Sequence, residues 1–159
     1  MKKTRMECLI NPTEEGVIMR EPLLKFSFYL SSKNNILLST SDEILESLEK
    51  GFTDNKICVD VIGEASTLLW FWTLGAYEVI RTMCQAKNCF SKEFYTNLCE
   101  LKKVLAKVRM PSAKMEKRGI KEPVNSNRSP DGWDIPKKDL LIGDPDEPIN
   151  KSFLGISQP

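Results

Sequence analysis

The chain has 159 residues and no histidine. That absence removes Ser-His and Cys-His nucleophile pairs, imidazole metal sites and a histidine pH switch. It also removes the Glu-x-x-His ligands of a di-metal helical bundle, although Asp60, Glu64 and Glu78 share one helical segment. Cysteine is sparse and odd in number, at Cys8, Cys58, Cys84, Cys89 and Cys99, with no two three apart. Four zinc ligands must converge on one ion, and this spacing does not supply them. There is no G-x-G-x-x-G and no phosphate-binding loop. A calcium loop starting at Asp144 would need Gly and Glu where Ile149 and Gly155 stand. No cofactor and no metal are therefore expected. Residues 65–77 are an uncharged run of 13, short of the roughly 20 a membrane span needs, and Glu64, Glu78 and Arg81 flank it. No apolar stretch of signal-peptide length follows Met1-Lys2-Lys3-Thr4-Arg5. The expectation is a cytoplasmic protein with free, mostly buried thiols.

What is present is the composition of a globular domain, 41% hydrophobic and 28% charged. The chain divides into three parts. Residues 1–39 read as mixed and β-containing. The stretch from Leu24 to Leu30 alternates apolar and polar residues, residues 31–35 are turn-prone, and Ile36-Leu37-Leu38 is a second apolar run. Together they predict a hairpin, with a helix from Pro22 as the competing reading.

Residues 40–111 read as helical. Thr40 and Glu43 have capping-box spacing, Ile44, Leu45 and Leu48 form an apolar face, and Gly51 is placed as a left-handed stop. Asp54 is a candidate cap for a helix over residues 55–85. Ser91 can cap a third, with Phe90 and Tyr95 at the hydrophobic-staple positions. Phe94, Leu98, Leu101, Leu105 and Val108 form one stripe, and Pro111 is expected to end that helix near Arg109.

Residues 112–159 hold six of the nine prolines together with apolar anchors such as Trp133, Leu140, Ile142 and Phe153. They read as an extended segment packing on its own domain or on a partner, or as a flexible tail. The fold class expected is mainly α: a bundle of three or more helices with a long buried central helix, a small N-terminal β-hairpin region and an extended Pro-rich C-terminal segment. The alternative is all-α.

The central segment carries Trp70, Phe71 and Trp72 in succession, which point in three directions on a helix. That predicts a helix buried in the bundle or in a dimer. One row is polar, and from it Glu64, Glu78, Arg81 and Gln85 form a candidate polar site. Glu78 and Arg81, three apart, are either a structural pair or a ligand-binding and catalytic carboxylate-guanidinium set. Cys84 and Cys89 read as buried, inert thiols, since no general base lies near them in sequence; reactive thiols are the alternative.

The net charge of +1 conceals blocks. Residues 39–64 have seven acids against two bases, residues 102–128 nine bases against two acids, and residues 129–159 six acids against three bases. The basic block gives a candidate patch of Lys102, Lys103, Lys107, Arg109, Lys114, Lys117 and Arg118. It can follow phosphates but contains no aromatic residue for base stacking. Facing acidic and basic segments, or an acidic protein partner, are the other reading.

The helix around Glu78 and Arg81 is loosely similar to the HEPN-type bundles of prokaryotic toxin–antitoxin and defence systems. The likeness covers one or two helices. The ribonuclease motif of those proteins is Arg followed after four to six residues by His. Here Arg81 leads into Thr82, Met83, Cys84, Gln85 and Ala86. The resemblance implies at most a form without that chemistry, and no family assignment follows. The leading functional expectation is a non-catalytic interaction or regulatory module that self-associates. A nucleic-acid-associated bundle and a small-ligand binder or enzyme using Glu78 and Arg81 are the alternatives.

Overall fold

The computed structural model describes residues 27–53, 56–116, 119–120 and 131–150. These are mainly helical: α1 (Phe28–Gly51), α2 (Val59–Gln85) and α3 (Lys92–Lys114), with a one-turn 3-10 helix at Lys87–Cys89 before α3. A small antiparallel sheet follows, β1 (Asp131–Asp134), β2 (Asp139–Asp144) and β3 (Glu147–Asn150), in that order. Helix α2 lies between α1 and α3 and packs on both. Among the described residues no helix is long and apolar enough to cross a membrane.

The hairpin expected before residue 39 is corrected in its second half. Ile36-Leu37-Leu38 lies within α1, which begins at Phe28 behind the N-cap Ser27, whose hydroxyl accepts from the Leu30 N–H at 3.3 Å. The expected first strand, apart from its last residues, falls outside the described residues. Leu30, Leu37, Ile44 and Leu48 are spaced by seven, seven and four, a helical row that packs into the core and overrides the local turn signal. Two of the polar residues between them bond back to the helix. Thr40 Oγ1 donates to the Ile36 carbonyl (2.9 Å), and Ser41 Oγ to that of Leu38 (2.7 Å). Thr40 is therefore mid-helix and caps nothing.

Gly51 closes α1 without a left-handed turn. Its role is close approach: a Cβ there would stand 2.6 Å from Cγ1 of the fully buried Ile62. The Gly51 carbonyl accepts from the Cys58 N–H (2.9 Å), and Phe52 bridges to Ile57, which turns the chain into α2. Asp54, the expected cap, lies outside the described residues. Cys58 is the N-cap residue, without a side-chain capping bond.

Helix α2 buries Ile62, Ala65, Leu69, Thr73, Ala76, Val79 and Met83. The three consecutive aromatics divide by direction. The Trp70 indole N–H donates to the Ser112 carbonyl of α3 (3.0 Å), and that of Trp72 to the Leu37 carbonyl of α1 (2.9 Å). Phe71 points outward and is 58% exposed. The central helix is thus pinned on both sides and open along one row.

Helix α3 starts as its sequence predicts. Ser91 Oγ accepts from the Phe94 N–H (3.2 Å), and Phe90 and Tyr95 both pack on the cluster of Leu30, Val79, Met83 and Leu98. Within the predicted stripe, Leu98, Leu105 and Val108 are buried, while Phe94 and Leu101 are partly exposed. Pro111 does not end the helix near Arg109; α3 runs on to Lys114 and stops at Met115 in a left-handed conformation (φ 56°). Pro111 has no N–H to donate within the helix, yet α3 continues through it. The Met115 N–H still donates to the Pro111 carbonyl (2.8 Å), and Trp70 holds the Ser112 carbonyl.

The described part of the Pro-rich segment, residues 131–150, is a β-meander rather than an extended run. Its prolines punctuate it. Pro136 and Pro145 lie in the two turns, and Pro148 lies on β3, an edge strand, where a missing N–H is tolerated. Trp133 pairs with Leu140 across β1–β2, and Ile142 with Ile149 across β2–β3. Leu140 and Ile142 enter the same buried cluster as Leu105 and Val108. Gly143 (φ 99°) lies against α3, where a Cβ would sit 3.7 Å from Val108 Cα. The sheet thus shares the core of the helices.

Candidate functional site

Helical spacing places Tyr29, Lys33, Ile36 and Thr40 in one row of α1. Phe71, Gly75, Glu78 and Thr82 form the matching row of α2. The two rows line a groove of about 440 Å³ between the helices. Gly75 lets Leu37 of α1 approach α2 closely at its floor, since a Cβ there would stand 3.1 Å from Leu37 Cδ2. The walls are largely apolar. Tyr29, Ile36 and Phe71 are each more than half exposed, and the Phe71 ring meets Trp70 edge-on at 4.8 Å. Two charges of opposite sign lie on opposite walls, Lys33 over the Tyr29 ring (5.2 Å) and Glu78.

Glu78 is held from two sides. Arg81 Nε donates to its Oε2 at 2.7 Å, and Arg109 Nη2 of α3 stands 3.8 Å from its Oε1. The Arg109 guanidinium stacks over the Tyr77 ring at 4.7 Å. Its Nε is buried without a hydrogen-bond partner. The candidate polar site is therefore only partly assembled. Glu78 and Arg81 are together, and Arg109 joins them from the basic block. Glu64 and Gln85 are exposed on the same helix, about 21 and 10 Å away along its axis at 1.5 Å per residue. What the sequence hid was the third helix's contribution: Arg109 reads as one member of a basic run, and only the packing of α3 on α2 turns it inward.

The basic patch divides in the same way. Lys103, Lys107 and Lys114, at intervals of four and seven, are exposed on one face of α3, while Lys102 and Arg109 are half-buried. Lys117 and Arg118 lie outside the described residues. Among the described residues no three Cys, Asp or Glu side chains gather as metal ligands.

One thiol pair is brought together that sequence spacing did not indicate. Cys84 Sγ of α2 and Cys99 Sγ of α3 are 3.9 Å apart. Burial first, and then the hydrogen bond with Cys99, push the Cys84 thiol above its ordinary range. A hydrogen bond with Cys99 likewise raises the Tyr95 phenol. Cys58 and Cys89 are exposed and free. Comparison with known protein families, curated proteins and solved structures finds no match to this chain.

Proposed function

We propose that this chain is a non-catalytic, cytoplasmic interaction module that pairs with a second copy of itself through the α1–α2 groove. The observation that carries the reading is the outward Phe71. It lies between two tryptophans that are each anchored to a neighbouring helix, so it is held in place and facing outward, beside Tyr29 and Ile36. Exposed apolar surface rimmed by polar groups is the usual mark of an association site. A two-fold pairing presents the same patch on both copies. It sets the Lys33 wall of one copy against the Glu78 wall of the other, so the charges match as well as the apolar rows.

A catalytic role for Glu78 is less well supported, because both of its oxygens already face a guanidinium. The lysine face of α3 is a separate surface, and three exposed lysines without an aromatic platform favour an acidic protein segment over nucleic acid. Light scattering across a concentration series tests the pairing. A mass that rises toward twice 18.1 kDa is expected, and a constant 18.1 kDa contradicts it.

A further inference from the structure

We propose that Cys84 and Cys99 form a reversible intramolecular disulfide, a two-electron redox site that clamps the end of α2 to α3. The sulfurs are in van der Waals contact at 3.9 Å, on two packed helices and 15 residues apart. A disulfide needs about 2.05 Å between them, so they close by roughly 2 Å. The segment between them contains the 3-10 turn at Lys87–Cys89. The two thiols differ in access. Cys99 is half-buried and Cys84 is buried, which sets an order of reaction. The Lys102 ammonium, one turn beyond Cys99, favours the Cys84 thiolate, against the larger opposing effect of burial.

The oxidant is a low-molecular-weight disulfide such as glutathione disulfide. The Cys99 thiolate attacks one of its sulfurs, breaking the oxidant's S–S bond and expelling one thiolate. Cys84 then gives up its proton and attacks Cys99 Sγ, expelling the second thiolate. The two protons lost by the protein end on the two released thiols, and the protein is oxidised by two electrons. Cys84 packs in the cluster with Leu30 and Val79, which also line the groove, so the bond forms beside the proposed docking face.

Peptide mapping of the full chain tests this. Trypsin cuts after Arg81, Lys87, Lys92 and Lys102, which places Cys84, Cys89 and Cys99 on three separate peptides. The folded protein is equilibrated with glutathione disulfide, its remaining thiols are alkylated, and it is digested without reduction. The expected result is a peptide containing Cys84 linked to one containing Cys99, reversed by dithiothreitol and retained in Cys89→Ser. Cys84→Ser and Cys99→Ser abolish it. A link through Cys89 or Cys58, a link between molecules, or alkylation of both Cys84 and Cys99 while exposed Cys89 is glutathionylated overturns the proposal. The wild-type map decides even where a serine variant fails to fold.

Discussion

Replacing Gly51 by alanine separates two effects that usually travel together. On helix propensity alone, Gly→Ala stabilises by up to about 1 kcal/mol, and less at a terminal helical position such as this one. Against that, the new Cβ would lie 2.6 Å from Ile62 Cγ1, well inside ordinary contact. Ile62 is fully buried and β-branched on a helix, so its χ1 is close to fixed and the side chain cannot swing away. Overpacking of this kind costs typically 1–3 kcal/mol. The backbone cannot yield freely either, because the Gly51 carbonyl ties the turn to Cys58. The net expectation is a loss of about 2 kcal/mol. Gly63, in the interior of α2, is the control: a Cβ there meets nothing within 4 Å. Gly63→Ala should therefore gain about 0.5–1 kcal/mol. Urea unfolding of the two variants, with unchanged m-values, reads both signs. If Gly51→Ala equals or exceeds the wild type, the close approach of α1 and α2 is not as described.

Three further outcomes follow from the packing. Ile142→Ala should destabilise the whole domain by about 2–5 kcal/mol in one cooperative transition, because Ile142 shares a cluster with Leu105 and Val108; a sheet that melts separately, leaving the helices at wild-type stability, refutes the shared core. Trp72→Phe keeps most of the ring but removes the N–H donated to the Leu37 carbonyl, and should cost about 1 kcal/mol by thermal or urea unfolding. The reduced protein should also lose stability in alkali: the folded state raises the Cys84 thiol above its ordinary 9.0, so that contribution is complete below pH 9 and fades as pH rises through the folded-state value, and Cys84→Ser should flatten the decline.

The parts of the fold that sequence reading reached are those where a side chain acts locally. Ser91 marks a helix start through a bond within one turn, and it caps where predicted. The readings that failed set local signals against tertiary ones. The residues after Leu30 look like a turn until Leu37, Ile44 and Leu48 are seen to share a helical row that buries against α2. Pro111 signals a stop, yet Trp70 of another helix holds the next carbonyl in place. Pro136, Pro145 and Pro148 mark turns and an edge strand, and strand pairing is not encoded in any one window. The Glu78–Arg81 contact was legible because it lies within one turn. Arg109, Cys99 and the groove were not, since each needs a second helix brought alongside.

The central claim is that the α1–α2 groove is where two copies meet, and Phe71→Glu tests it most directly. The site is exposed, so the variant should keep the wild-type fold and melting temperature within the small range of surface substitutions. Losing one buried phenylalanine costs about 2 kcal/mol, roughly 30-fold in affinity for each copy that contributes it. Sedimentation equilibrium of both proteins should show a dimer of twice 18.1 kDa for the wild type and a folded monomer for Phe71→Glu at the same concentration. A wild type that stays monomeric throughout, or a variant that dimerises as tightly, contradicts the account.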